Sequence, residues 1–246
     1  MKAAVLPSNQ HLNEYRGIPS VTEEKWAAAV CAWVVRRLKE RGIEAGYFHV
    51  PGAGSKSTDE LSQMLAQAIA WRPDYMLSVH SDAVGDTRQT GILMLMAREV
   101  DRSEGQRLGK AIAVAVGLPY KATWVYGVEA RTIMYLSRLR STGLEGSLVE
   151  VGEHATVIEA AWNWTHIKQI GVGIANALAE YLGQEGDDDM TPEQDKTLKL
   201  IRVSMVAQSN DQEIAIAIAK GNIPEAERLM NEAHAQAMTE KARLGV

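Results

Sequence analysis

Two histidines and two glutamates stand where a metal site could form. His11 lies in a polar loop directly after a short apolar run, and His80 ends the apolar run 75–79. An imidazole that follows so apolar a segment needs a polar partner, and a metal ion is a suitable one. Glu24 opens a long helical pattern, and Glu150 stands between apolar residues in a run of strand length. His11, Glu24 and His80 are therefore candidate metal ligands, and Glu150 is a candidate acid–base group.

Zinc hydrolysis suits this set of residue types. A catalytic zinc ion takes three protein ligands and keeps a fourth position open for water, which it makes more acidic. A neighbouring carboxylate then serves as base and later as acid. Structural roles stay open for both glutamates. Glu24 could be a surface acid that the helix dipole stabilises, and Glu150 could be an acid in a salt bridge or on an edge strand. The chain carries no HExxH, CxxC, GxSxG or GxxxxGK[ST] motif that would decide the chemistry by itself.

Strand-like and helical patterns alternate along residues 1–182. The predicted strands cover 2–6, 44–50, 74–80, 91–97 and 148–151, and the predicted helices cover 23–41, 58–71, 103–116 and 158–182. This alternation indicates an α/β fold with a mixed, largely parallel sheet flanked by helices on both faces. Sites in such sheets form at strand ends, where His80 and Glu150 would lie.

The composition changes after the predicted α/β domain. Residues 183–189 read GQEGDDD, which is typical of an acidic linker. Residues 190–246 predict a small all-helical domain, although the alternation of 214–219 also fits a strand. A unit of about 57 residues has a marginal core, so we expect it to self-associate or to bind a partner. Met190 follows the linker and could start a separate tail fragment.

Charge and hydropathy exclude several classes of function. The net charge of -5 offers no basic surplus for nucleic-acid binding. No apolar stretch reaches the 18 residues of a membrane span, and the apolar run at the N-terminus is too short for a signal peptide. The single cysteine, Cys31, cannot form an internal disulfide and is expected in the core. These features predict synthesis in the cytoplasm without a signal peptide.

Four segments resemble the catalytic domain of zinc-dependent N-acetylmuramoyl-L-alanine amidases from phage endolysins and bacterial autolysins. The resemblance covers residues 2–182, and its segments are 8–15, 22–25, 77–83, and 139–142 with 148–152. It implies a mixed sheet flanked by helices and one zinc ion bound by His11, Glu24 and His80. It also implies that Glu150 assists the attacking water. Glu24 is chosen over the adjacent Glu23 because the family's ligand directly precedes a lysine.

The resemblance implies a peptidoglycan hydrolase that cleaves the amide bond between N-acetylmuramic acid and L-alanine. For an endolysin made in the host cytoplasm, it implies release through a separate membrane-permeabilising protein. The first metal loop lacks the family's glycines, and the segment 152–155 lacks the phenylalanine and asparagine that relatives often carry. Glu153 and His154 either replace the relatives' contacts or lie at the rim of the cleft, which leaves substrate fit open. The alternatives are a zinc peptidase on the same scaffold and a non-catalytic wall-binding or assembly protein. All four candidate positions hold residue types that can bind zinc or transfer a proton, which argues against the non-catalytic alternative.

Overall fold

The computed structural model describes residues 1–50, 58–83, 90–128 and 133–183, together with 238, 239 and 242. The chain divides into two compact units, Met1–Gly186 and Asp187–Val246. The predicted tail helices lie almost entirely outside the described residues, and the linker and domain boundaries stay predictions. None of the helices in the described ranges is both long enough and apolar enough to cross a membrane.

Six strands of the first unit form one sheet. The strands are β1 (Lys2–Pro7), β2 (Glu44–Tyr47), β3 (Tyr75–Asp82), β4 (Ile92–Met96), β5 (Tyr120–Val125) and β6 (Gly146–Glu153). Their order in the sheet is β2-β1-β3-β6-β4-β5. The pairs β1–β2, β1–β3, β3–β6 and β4–β5 are parallel, whereas β4 and β6 are antiparallel. The carboxyl ends of β1, β3 and β6 therefore share one edge with the amino ends of β4 and β5.

Helices cover both faces of this sheet. They are α1 (Glu23–Glu40), α2 (Thr58–Ala70), α3 (Arg102–Val116), α4 (Met134–Thr142), α5 (Val157–Thr165) and α6 (Ile167–Tyr181). Side chains of α1, α3, α5 and α6 form one hydrophobic core with residues of the sheet, and those of α2 and α4 form a second. Because sheet residues alternate between these two cores, the strands are buried on both sides and are rich in apolar residues. The predicted fold class is confirmed.

Most predicted elements agree with the structure to within a few residues, but three predictions were incomplete. The strand β5 was missed because it is a half-buried edge strand without a continuous apolar run. The short helix α4 was missed because polar residues fill its exposed face. The predicted helix 158–182 is two helices, separated at His166, whose backbone leaves helical geometry.

Candidate metal centre

The start of α1 and the loop after β1 hold each other in place. Thr22 caps α1, and its side chain accepts a hydrogen bond from the backbone N–H of Lys25. The backbone N–H of Glu23 donates to the carbonyl of Asn13 at 2.8 Å. The side-chain amide of Asn13 in turn donates to Oε2 of Glu23 at 3.2 Å. These bonds aim the Glu23 carboxylate at the edge of the sheet where β1, β3 and β6 end.

Glu23, His80 and Glu150 form the one group of three metal-competent side chains within the described ranges. One ligand atom from each lies within 4.8 Å of the others. His80 and Glu150 are brought together because they are direct partners across the parallel pair β3–β6. Nδ1 of His80 lies 2.9 Å from Oε1 of Glu23, and its Nε2 lies 3.1 Å from Oγ of Ser78. Strand register and a helix start thus create the group.

Burial and mutual charge shift the pKa values of all three groups. Burial raises the pKa of Glu150 to about 8; the negative charges of Glu23 and Asp82 add to this, while His80 and Lys121 oppose it. Burial acts to lower the pKa of His80, but Glu23 outweighs it and holds that pKa above its ordinary value. Burial also acts to raise the pKa of Glu23, but His80 and Ser8 hold it lower. The metal-free site therefore favours a Glu23–His80 ion pair beside a protonated Glu150.

The structure places Glu23, rather than the predicted ligand Glu24, against His80. Successive residues of an α-helix point about 100° apart, so only one of two adjacent glutamates can face the sheet edge. The carboxylate of Glu24 points to a different histidine, with Oε1 3.0 Å from Nε2 of His49. The lysine that guided the choice of Glu24 does not identify which of the two carboxylates faces His80.

His11 lies outside the group of three in this structure. Its Nδ1 is 3.3 Å from the carbonyl oxygen of Asn9 and 3.7 Å from Oε2 of Glu60, on α2. Its Nε2 is buried and has no hydrogen-bond partner in the described part of the chain. The loop that carries His11 also contains Asn13, which contacts Glu23, so the loop is anchored to the site even though the imidazole is not part of the group of three.

The residues at this edge fit a zinc ion. Imidazole nitrogens and carboxylate oxygens are the ligands of catalytic zinc sites. Oε2 of Glu150, like Nε2 of His11, is buried without a hydrogen-bond partner among the described residues, and such atoms are costly unless something else binds them. A divalent cation would also offset the repulsion between the two buried carboxylates.

Five further polar side chains lie beside the group, namely those of Tyr15, Ser81, Glu153, His154 and Asn163. The ring of His154 stacks on that of Tyr15 with 4.9 Å between ring centroids, and its Nδ1 lies 3.2 Å from Oγ of Ser81. The amide of Asn163 donates to the same Ser81 oxygen and to backbone carbonyls of β6. Both Glu153 and His154 are buried, at 0% and 2% exposure, so they lie in the interior rather than at the rim of the cleft.

No protein-family model matches the sequence, and no curated protein matches it significantly. Comparison with solved structures finds the fold instead. The catalytic domain of the N-acetylmuramoyl-L-alanine amidase CwlV from Bacillus (Paenibacillus) polymyxa has a TM-score of 0.59 and 20% identity over 75% of this chain and 100% of that domain. The amidase AmiC2 of Nostoc punctiforme has a TM-score of 0.59 and 14% identity over 74% of this chain and 97% of its own.

An endolysin domain is also among the similar structures. The catalytic domain of the CD27L endolysin, which targets Clostridium difficile, has a TM-score of 0.58 and 11% identity over 73% of this chain and 97% of its own. The resemblance that the four sequence segments indicated is therefore confirmed at the level of fold. Each of these three structures is matched over 97–100% of its length, so the fold of the first unit spans the whole of theirs.

Proposed function

We propose that this protein is a zinc-dependent N-acetylmuramoyl-L-alanine amidase that cleaves the bond between the lactyl group of N-acetylmuramic acid and the L-alanine of the stem peptide. The observation that carries the proposal is the group formed by Glu23, His80 and Glu150, at a strand edge of a fold shared with such amidases. Three groups of this kind, with shifted pKa values and an unsatisfied carboxylate oxygen, are typical of a catalytic centre.

The proposed metal ligands are Glu23, His80 and His11. Glu23 replaces the predicted Glu24 because only Glu23 approaches His80. His11 is proposed as the second imidazole because its Nε2 is buried and unsatisfied and because its loop is anchored to Glu23. When bound, a zinc ion would acidify a water molecule and polarise the scissile carbonyl.

Glu150 is proposed to carry the proton in both halves of the reaction. Its carboxylate accepts a proton from the water that attacks the lactyl carbonyl carbon. It then gives that proton to the alanine nitrogen as the carbon–nitrogen bond breaks. Its raised pKa in the metal-free structure supports this role, because a group that holds a proton near neutral pH can also release one. A nearby cation would lower that pKa and favour the base form.

Variants of Glu150 test the proposal with the full-length protein. Glu150→Gln should keep its zinc, measured by elemental analysis, and lose about 10²–10⁴-fold in the rate of wall hydrolysis. Glu44→Gln, a change at an exposed carboxylate on β2, is the matched control and should keep the wild-type rate. If Glu150→Gln retained activity, its assigned role would be refuted.

Mass analysis of digested peptidoglycan separates the proposal from its alternatives. An amidase releases whole stem peptides that begin with free L-alanine and leaves the glycan strands intact. A zinc peptidase on the same scaffold would instead leave part of each stem on the glycan. A wall-binding protein without activity would release neither product, and its zinc content would not affect the result.

We further propose a phage-lysis role, which the similarity to an endolysin domain supports. In this setting the enzyme acts on the wall after a separate protein permeabilises the membrane. Residues 190–246 are proposed to bind the wall or to mediate self-association. Light scattering of the full-length chain, compared with the chain in which Met190 is changed to Leu, would show the oligomeric state and any separate tail fragment.

A further inference from the structure

A lysine and an aspartate form a half-buried ion pair beside the candidate metal centre. Nζ of Lys121 lies 2.8 Å from Oδ2 of Asp82, and the two side chains are 16% and 17% exposed. Asp82 ends β3, two residues beyond His80, whereas Lys121 lies near the start of β5. Strands β6 and β4 stand between these two strands. The lysine therefore reaches across the edge of the sheet toward the candidate site.

A bulge in β5 directs Lys121 to this position. Ile92 of β4 pairs with Tyr120, but the next residue, Leu93, pairs with Ala122. Lys121 is thus the extra residue, with no partner opposite it on β4. Bulges of this type re-aim a side chain and are frequent beside active sites. The bulge therefore takes the Lys121 side chain out of the regular alternation of side chains between the two faces of the sheet.

A glycine makes room for the lysine stem. Gly91 has a φ of +142°, and a Cβ there would lie 2.4 Å from the carbonyl oxygen of Pro119 and 3.0 Å from Cγ of Lys121. Any side chain at residue 91 would collide with the backbone and press on the lysine stem. The close passage of these segments therefore depends on glycine and fixes the course of the Lys121 side chain.

The ammonium group of Lys121 lies within electrostatic reach of Glu150. Its charge lowers the pKa of Glu150, and the charge of Asp82 raises it. An ammonium group has three donors, and Asp82 accepts from one of them in the described part of the chain. Because the Lys121 side chain is 16% exposed, its ammonium group can donate to a second, anionic partner, and the half-buried setting strengthens such a contact relative to water.

We propose that Lys121 binds the carboxylate carried by the second residue of the stem peptide and so makes the enzyme selective for walls in which that carboxylate is free. This inference rests on the proposed amidase function and deepens it. The second stem residue follows the L-alanine whose nitrogen is released, so it lies on the leaving-group side of Glu150. In some walls its α-carboxylate is converted to a carboxamide, which an ammonium group binds more weakly than a carboxylate.

The test uses two synthetic muramoyl peptides that differ only in this group, one with the carboxylate and one with the carboxamide. With the full-length zinc-loaded protein, we expect a KM for the carboxylate substrate about tenfold lower than for the carboxamide substrate. Lys121→Met should remove this preference mainly through KM, with a much smaller change in kcat. Lys121→Arg should retain part of it. Lys110→Met, a change to a lysine that lies over the Tyr120 ring, is the matched control for loss of local charge.

A second variant keeps the test decisive if Lys121→Met folds poorly. Asp82→Asn removes the carboxylate that competes for the ammonium group, so the preference for the carboxylate substrate should grow. If Lys121→Met lowers the urea midpoint of unfolding but leaves the substrate preference unchanged, the Lys121–Asp82 pair only stabilises the fold and the inference is overturned. An unchanged preference in Asp82→Asn would also overturn it. If the wild-type protein cleaves neither substrate, the proposed function fails instead.

Discussion

Two adjacent glutamates at the start of α1 each face a histidine, but only one pair lies in a candidate metal centre. Glu23 faces His80 at 2.9 Å, and Glu24 faces His49 at 3.0 Å. The two pairs have the same chemistry and nearly the same separation. What distinguishes them is Glu150, which the register of β3 and β6 places beside His80. No comparable third ligand completes a group around His49 among the residues that the structure describes.

The difference teaches that the site is defined by the sheet rather than by the helix. His49 follows β2, an edge strand, whereas His80 lies near the end of β3, which is in the middle of the sheet and has a neighbouring strand on each side. A central strand can place a second functional residue directly beside its own, and an edge strand next to a loop has fewer such neighbours. Variants at the two pairs show whether zinc binding and activity depend on the pair at the central strand rather than on the pair at the edge strand.

The largest effect is expected from replacing the two adjacent glutamates by glutamine, one at a time. Glu23→Gln should lower zinc affinity by more than the about 10–100-fold that loss of an outer partner costs, and activity should fall with it. Glu24→Gln should keep the zinc and most of the activity, since the carboxylate of Glu24 contacts His49 and not His80. Zinc titration of the purified full-length variants, alongside rates of wall hydrolysis, measures both.

The reverse ranking would contradict this comparison. If Glu24→Gln lost zinc and Glu23→Gln kept it, the ligand would be the residue that directly precedes Lys25, as the sequence resemblance implies. The same experiment on His49→Ala and His80→Ala should give the same order as the two glutamates, with the large loss at His80.

An intermediate effect is expected in the pH dependence of stability of the metal-free protein. The pKa of Glu150 is about 8 in the folded chain, above its usual 4.5, so the folded state holds a proton that the unfolded state has released. The free energy of unfolding should therefore fall as pH rises between these two values. The raised pKa of His80 acts in the same direction at the upper end.

Urea unfolding of the chelator-treated protein at several pH values between 5 and 8, a range chosen to lie roughly within that window, measures this effect. Glu150→Gln should flatten the pH dependence because its side chain cannot titrate. Equal slopes in the wild-type protein and Glu150→Gln would show that Glu150 does not hold the proton, and the account of its electrostatic environment would have to be abandoned.

The smallest effect is expected from the cap that orients both glutamates. Thr22→Ala should lower the free energy of unfolding by about 0.5–1 kcal/mol, at the low end for a cap because its hydrogen bond is 3.4 Å long. Zinc affinity should fall slightly, since Glu23 is also held by Asn13. Thr22→Ser keeps the capping oxygen and is the matched control. A loss of zinc as large as that of Glu23→Gln would mean that the cap, rather than the Asn13 contacts, positions the ligand.

The α/β class and most element positions could be predicted from the sequence because they depend on local patterns. Buried strands appear as apolar runs, and helix ends appear as caps and glycines, as with Thr22 at the start of α1 and Gly117 after α3. The edge strand β5 and the helix break at His166 could not be predicted, because both depend on packing against the rest of the chain. Their residues carry no strong periodic signal of their own.

By itself, the sequence determined the types of residue available for chemistry and the strand end at which His80 would lie. The tertiary structure decided which of them meet. The choice between Glu23 and Glu24 depends on a rotation of about 100° along a helix, and the approach of Glu150 to His80 depends on strand register. The position of Lys121 depends on a one-residue bulge. These features arise from contacts between distant parts of the chain, which no local pattern of residues records.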